Sequence, residues 1–272
     1  MQAHEVWSRL IAVREQAPLI HNITNFVVMN NTANALLAIG ASPAMIHSTD
    51  EVEDFVAVSK ALVVNIGTLY SDQVAAYKLA AAQAKRLGVP WVFDPVGAGA
   101  TPYRRVVAAS LLRLQPSVIR GNGSEILTLA QQSGAGRGVD SLHGSEAALE
   151  GAHRLAREGS AVVAITGAVD YVTDGERVTE LHNGHPLMAR VTGLGCSATA
   201  VIGAFLAVEP DAFAATVAAL AVFSVAGEVA AGWAAGPGSL QVALLDALYT
   251  LDEATLADRL KVKARSEPLL KC

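Results

Sequence analysis

The sequence predicts one α/β domain in which a central, mostly parallel sheet is covered by helices on both faces. Short apolar runs such as Ala61-Leu-Val-Val-Asn-Ile66 recur between helical segments of ten or more residues. That alternation is the pattern of βαβ units, whose strands are buried on both sides. Of the 272 residues, 52% are hydrophobic and only 17% charged, so much surface must be buried inside the domain or between subunits. No repeat of 20–50 residues and no linker divides the chain, and 1–272 reads as a single domain.

The elements follow in order. Met1 to Gln16 carries Glu5, Arg9, Arg14 and Glu15 among apolar residues and reads as an amphipathic helix. Pro18 to Thr24 is a strand ending in polar residues, followed by a helix from Phe26 to Ile39 that Gly40 stops. Ser42 to Ile46 and Ala61 to Ile66 are strands separated by a helix over Glu51 to Ser59. A long helix capped by Ser71 or Asp72 ends near Gly88. Val89 to Asp94 is a strand, Pro102 opens a helix to Leu114, and Pro116 to Arg120 is the next strand. A helix runs from the Gly121–Glu125 turn through Gln132. Ser133 to Gly144 is Gly/Ser-rich and reads as a loop. A helix (Ser145 to Glu158) and a strand (Ala161 to Thr166) precede a hairpin around Asp174-Gly175. From Cys196 onward the chain reads as helical, over about 197–207, 211–233, 237–249 and 252–260.

Composition excludes several classes. The formal net charge is −5, with 20 basic against 25 acidic residues and no Lys/Arg cluster, which argues against a nucleic-acid surface. Two cysteines, Cys196 and Cys272, provide no disulfide framework and suit a reducing compartment, here the cytoplasm. Val191 to Val208 and Ala212 to Gly227 contain no Lys, Arg, Asp or Glu. The first opens with a polar, glycine-containing turn, and neither run has basic residues on both sides, so both read as buried helices rather than membrane spans.

Polar residues concentrate at the predicted carboxyl ends of the strands, where ligands gather in open parallel sheets. They are Asn22, Asn25, Asn65, Thr68, Asp94, Arg120, Asn122 and Thr166. The glycine turn Val191-Thr-Gly-Leu-Gly-Cys196 then runs straight into an apolar helix. Gly193 and Gly195 let a ligand approach the backbone, and the helix start offers free N–H groups to an anion. There Cys196 should ionise more readily than a free thiol, unless it is simply a small buried residue. Asp94 and Glu125 are the carboxylates placed to hold a divalent cation such as Mg²⁺, although the spacing of Asn122 and Glu125 also suits helix capping. Arg120 could contact phosphate. Gly134-Ala-Gly-Arg-Gly138 follows no strand and reads as a connection, no P-loop is present, and His182 with His185 lacks a third ligand at zinc-type spacing.

Taken together, these residues resemble the hydroxyethylthiazole kinases of thiamin salvage, within the ribokinase-like superfamily. The matching stretches are Pro18 to Asn25, Asn30 to Met45, Asp94 to Gly99, Arg120 to Ile126, Gly138 to Ser141, Ile165 to Asp170 and Gly193 to Cys196. They run in family order over about 10–250. The resemblance implies ATP-dependent phosphorylation of the hydroxyl of 4-methyl-5-(2-hydroxyethyl)thiazole by a ribokinase-like homotrimer with sites between subunits. It further implies that Asn25, Met45 and Gly193 line the thiazole pocket and that Arg120, Thr166 and Asn122 lie on the ATP side. Asp94 and Glu125 should organise Mg²⁺, and the Gly193, Gly195 and Cys196 turn should face the transferred phosphoryl. Cys196 stands where most of the superfamily has a catalytic Asp, and is expected to help without being essential. Three positions depart from the family pattern: Gly123 for Ala, Ile46-His47 for smaller residues after Met45, and Arg137 for Lys.

Three alternatives share some of these features. A sister kinase for hydroxymethylpyrimidine or a sugar would keep the fold but does not suit Cys196 or the His21-to-Asn25 stretch. A cysteine hydrolase would need a His against the thiol. A non-catalytic nucleotide-binding protein would bind ATP without turnover.

Overall fold

The computed structural model describes residues 1–132 and 144–265. The glycine-rich segment, Gly138 to Ser141, Arg137 and Cys272 lie outside them. In chain order the elements of the first half are α1 (Ala3–Gln16), β1 (Leu19–Ile23), α2 (Met29–Ala38), β2 (Ser42–Ala44), α3 (Val52–Val58), β3 (Ala61–Asn65), α4 (Ser71–Leu87), β4 (Trp91–Asp94), α5 (Pro102–Leu112), β5 (Val118–Asn122) and α6 (Gly123–Gln132). The second half comprises α7 (Gly144–Gly159), β6 (Val162–Thr166), β7 (Asp170–Thr173), β8 (Val178–Leu181), a 3₁₀ turn (Pro186–Arg190), α8 (Leu194–Leu206), α9 (Ala212–Trp233), α10 (Pro237–Thr250), α11 (Glu253–Arg259) and β9 (Val262–Ala264).

The nine strands form one sheet in the order β2-β1-β3-β4-β5-β6-β7-β8-β9. The first six are mutually parallel, and β7 to β9 complete the sheet antiparallel. Successive strand residues face opposite sides, so each buried strand feeds two cores. Val63, Val92, Val118 and Ala164 point to one, closed by α1, α2 and α8 to α11. Leu62, Val64, Phe93, Ile119 and Val163 point to the other, closed by α3 to α7. The apolar α9 belongs to the first core, and 83% of its most apolar stretch is buried, which accounts for one of the uncharged runs in the sequence.

Local chemistry explains most boundaries. Thr101 accepts the Arg104 N–H and Pro102 occupies the first turn of α5. Gly88 ends α4 in the left-handed region at φ +70°. Asp211 caps α9 by accepting the N–H groups of Phe213 and Ala214. Three expectations need correction. Neither Ser71 nor Asp72 caps α4: the helix starts at Ser71 after the extended Tyr70, without a side-chain cap. α8 starts at Leu194, earlier than the predicted 197, because Gly193 takes the left-handed conformation that begins it. The C-terminal part is not wholly helical, since β9 pairs with β8.

The strand order reverses at β1, which lies between β2 and β3. Such a reversal opens a crevice beyond the carboxyl ends of the two diverging strands. α8 lies over this region because Gly203 lets it approach the sheet: a Cβ there would stand 2.7 Å from Val63 Cγ2.

Candidate active site

Beyond the carboxyl ends of β1, β3 and β4 runs a continuous chain of hydrogen bonds. Asn25 Nδ2 donates to Asn65 Oδ1 at 2.9 Å and contacts Cys196 Sγ at 3.5 Å. Asn65 Nδ2 donates to Asp94 Oδ2 at 2.8 Å, and Thr199 Oγ1 donates to the same oxygen at 2.8 Å. Asn25, Asn65, Asp94 and Thr199 are all buried, so each bond forms where water cannot substitute for it. Gly67 makes room for this arrangement, because a Cβ there would lie 2.6 Å from Asn25 Nδ2.

The first turn of α8 enters the crevice from above. Ser197 N–H already donates to Gly193 C=O at 2.9 Å, so the helix leaves the N–H groups of Leu194, Gly195 and Cys196 as its free donors. Gly193, at φ +83°, packs so closely on Val28 that a Cβ would lie 2.6 Å from Cγ1. The Cys196 thiol contradicts its sequence-based expectation. Burial, reinforced by the nearby Asp94 carboxylate, pushes it up to about 11, and the helix start does not offset that cost.

Arg120 lies flat beneath the same turn. A Cβ on Gly195 would stand 2.6 Å from its Nη1, so only glycine lets the guanidinium reach the backbone there. Its Nη2 donates to Thr166 Oγ1, and Asp94 Oδ2 lies 3.9 Å from its Nη1. Asp170, at the start of β7, accepts the Gly167 N–H at 2.9 Å and so holds the turn after Thr166. Burial pushes both Asp94 and Asp170 up to about 6, with Arg120 opposing the shift in each.

Asn122 and Glu125 do form a reciprocal cap. Asn122 Oδ1 accepts the Glu125 N–H at 3.0 Å, and Glu125 Oε2 accepts the Asn122 N–H at 2.8 Å. Glu125 Oε1 takes the Gly97 N–H at 2.8 Å, tying the Asp94–Gly99 loop to α6. The donor set still suits a hard divalent cation. Asp94 Oδ1 is buried without a hydrogen-bond partner, and each Glu125 oxygen keeps a lone pair beyond its backbone bond. His182 and His185 are engaged elsewhere, with Glu180 and the Leu187 N–H, and no cluster of three His, Cys, Asp or Glu occurs among the described residues.

Met45 lies just past the end of β2, beside β1 but not in the hydrogen-bond chain; its carbonyl faces His47. The crevice therefore brings Asn25, Asp94, Arg120, Thr166, Gly195 and Cys196 together, with Met45 to one side and Asn122 and Glu125 to the other. Sequence reasoning missed Thr199, although its three-residue spacing from Cys196 on a helix puts both near one face. It also missed Arg104, whose guanidinium donates to the Ile66, Gly67 and Val96 carbonyls, bracing the loops after β3 and β4.

Comparison with known proteins places this chain in a lineage. The hydroxyethylthiazole kinase family model matches residues 10–254. The chain is 57% identical to a hydroxyethylthiazole kinase of Granulibacter bethesdensis over 249 residues, covering 92% of this chain and 91% of that protein. It is 53% identical to one of Rhizobium etli over 254 residues, covering 93% and 98%. The structure of a hydroxyethylthiazole kinase from Pyrococcus horikoshii superposes with a TM-score of 0.90 at 45% identity, over 96% of this chain and 99% of that one. An ADP complex of Bacillus subtilis pyridoxal kinase shares the fold with a TM-score of 0.59 at 20% identity, over 76% and 90%. The fold is thus shared with these kinases, and the chain belongs to the hydroxyethylthiazole kinase family.

Proposed function

We propose that this chain transfers the terminal phosphoryl of ATP to the hydroxyl of 4-methyl-5-(2-hydroxyethyl)thiazole, acting as one domain per subunit. The observation that carries the reading is the meeting of a free helix start with Arg120 of β5 beyond the carboxyl ends of the parallel strands. Phosphoryl transfer asks a protein mainly for positioning and charge stabilisation. The N–H groups of Leu194 to Cys196 supply oriented donors for the transferred group, and Arg120, steadied by Thr166, supplies the cation. ATP lies on the Arg120, Thr166 and Asn122 side. The thiazole alcohol lies toward Asn25, Met45 and Gly193. Asp94 and Glu125 would hold Mg²⁺, which neutralises phosphate charge when bound.

With its pKa at about 11, Cys196 stays a thiol at neutral pH and acts as a polar contact for the acceptor hydroxyl, not as a base. Asn25 orients it from one side. A reduced thiol and ATP as donor both fit the cytoplasm. The working unit is a homotrimer with sites between subunits, which suits the half-exposed or exposed apolar side chains Leu37, Trp233, Val242 and Tyr249 on α2, α9 and α10.

The test is ADP release by the purified protein with ATP and Mg²⁺, offering hydroxyethylthiazole, hydroxymethylpyrimidine, ribose or no acceptor. Turnover with the thiazole alone, abolished by chelation, is the expected result. Turnover only with another alcohol reassigns the pocket, and ATP binding without any turnover overturns the kinase reading.

A further inference from the structure

The edge strand β2 pairs with β1 through three residues only, ending at His21↔Ala44. The next three residues, Met45 to His47, leave the ladder just where the acceptor pocket begins. Imidazoles fasten them instead. The buried His21 meets the Ile46 carbonyl through Nε2 at 2.9 Å. His47 meets two carbonyls at once, Thr24 through Nε2 at 3.0 Å and Met45 through Nδ1 at 3.1 Å. Its ring also lies 6.3 Å from that of Phe26, which stacks on Tyr70 with ring centres 5.6 Å apart.

One side chain therefore bridges the segment that carries Met45 and the segment, Thr24-Asn25-Phe26, that carries Asn25. These are the two residues placed against the acceptor. We propose that His47 is a positioning residue for acceptor recognition: its bridge between the Thr24 and Met45 carbonyls sets the width of the pocket between Asn25 and Met45. Holding two carbonyl acceptors together takes an N–H on each ring nitrogen, which imidazolium supplies, whereas the neutral ring donates to one carbonyl at a time; a ring without nitrogens loses both bonds. The ATP side, anchored by Arg120 and Thr166 across the sheet, shares no bond with it.

The inference rests on the kinase reading for its activity test but not for its structural one. His47→Phe keeps a ring of similar size, and His47→Gln keeps a donor that reaches one carbonyl. Kinetics should show the Michaelis constant for hydroxyethylthiazole rising about tenfold in His47→Phe. The constant for ATP and kcat should stay within about twofold, and His47→Gln should recover part of the loss. Separately, with ¹³C-methyl-labelled methionine and no substrate, the Met45 methyl resonance should move in His47→Phe and shift back toward wild type in His47→Gln. An unmoved Met45 methyl in the folded variants overturns the proposal, as does an equal rise in both Michaelis constants. Wild-type protein inactive on the thiazole overturns the kinase reading instead, and the methyl resonance then still decides whether His47 positions Met45. If His47→Phe does not fold, the same comparisons are made with His47→Gln against wild type.

Discussion

At Cys196 two effects oppose each other. The helix start favours a thiolate, whereas burial beside Asp94 favours the thiol, and burial wins because a desolvated charge costs more than one helix terminus returns. A thiol titrating at about 11 has on the order of a hundredfold less thiolate at pH 8 than a free one at about 8.5. In a Cys272→Ser background, iodoacetamide should therefore alkylate Cys196 far more slowly than it alkylates glutathione. Cys196→Ser should keep kcat within about tenfold; a fast-reacting thiol or a dead but folded variant would return the base to this residue. Asp170 allows a cleaner titration, away from the cation site. Its folded pKa, about 6, is raised by burial above the ordinary aspartate value of 3.8, so the stability it contributes is complete below pH 3.8 and lost as pH rises through 6. The loss amounts to about 3 kcal/mol at neutral pH. Asp170→Asn keeps an acceptor for the Gly167 N–H and escapes that loss. Its melting temperature should exceed wild type by several degrees at pH 8, and the gap should close toward pH 4.5. A gap independent of pH would show that Asp170 is not held at a raised pKa.

Among the elements, α8 carries the clearest demand. Glycine inside a helix ordinarily costs about 1 kcal/mol relative to alanine, so Gly203 is present for another reason. A Cβ there would meet Val63 Cγ2 at 2.7 Å and Ile20 Cγ2 at 3.4 Å, and forcing such contacts costs about 1–3 kcal/mol. Gly203→Ala should lower the melting temperature and also kcat, because lifting α8 off the sheet displaces its first turn. Adding Val63→Ala should restore both, and a Gly203→Ala variant as stable and active as wild type would show that α8 tolerates a wider spacing. The parallel strands were readable because both their faces are buried, leaving almost wholly apolar runs such as 61–66, broken only by Asn65 at the carboxyl end. β9 was not, because Lys261-Val-Lys-Ala264 at a sheet edge needs neither a long run nor alternation. The ends of strands announced most of the crevice through their polar residues. What they could not announce was burial: the raised thiol of Cys196, the shared partner of Asn65 and Thr199, and the two carbonyls around His47 arise only when distant segments meet.

For the molecule as a whole, the low charge must be reconciled with exposed apolar helices. α10 packs on α9 and α2, with Gln241 donating to Asn31 at 3.0 Å, yet Val242 is 64% and Tyr249 73% exposed in the isolated chain. A second copy of the chain suits such a surface better than water does. Sedimentation should give a trimer for wild type and a smaller species for Val242→Arg combined with Tyr249→Arg, with weaker thiazole binding in the dissociated form. A wild-type monomer would remove the intersubunit sites from the mechanism.

The division of helices between the two faces of the sheet also follows the calendar of synthesis. Every helix covering one face, α3 to α7, precedes residue 160, whereas four of the six covering the other, α8 to α11, follow residue 190. A nascent chain that has just completed the β7–β8 hairpin therefore owns a nearly whole sheet with one side sealed and the other largely bare. Until α9 emerges and docks, that bare side is a broad sticky surface on the ribosome, and the interval in which it needs shielding is set by the distance between the two halves of the sequence.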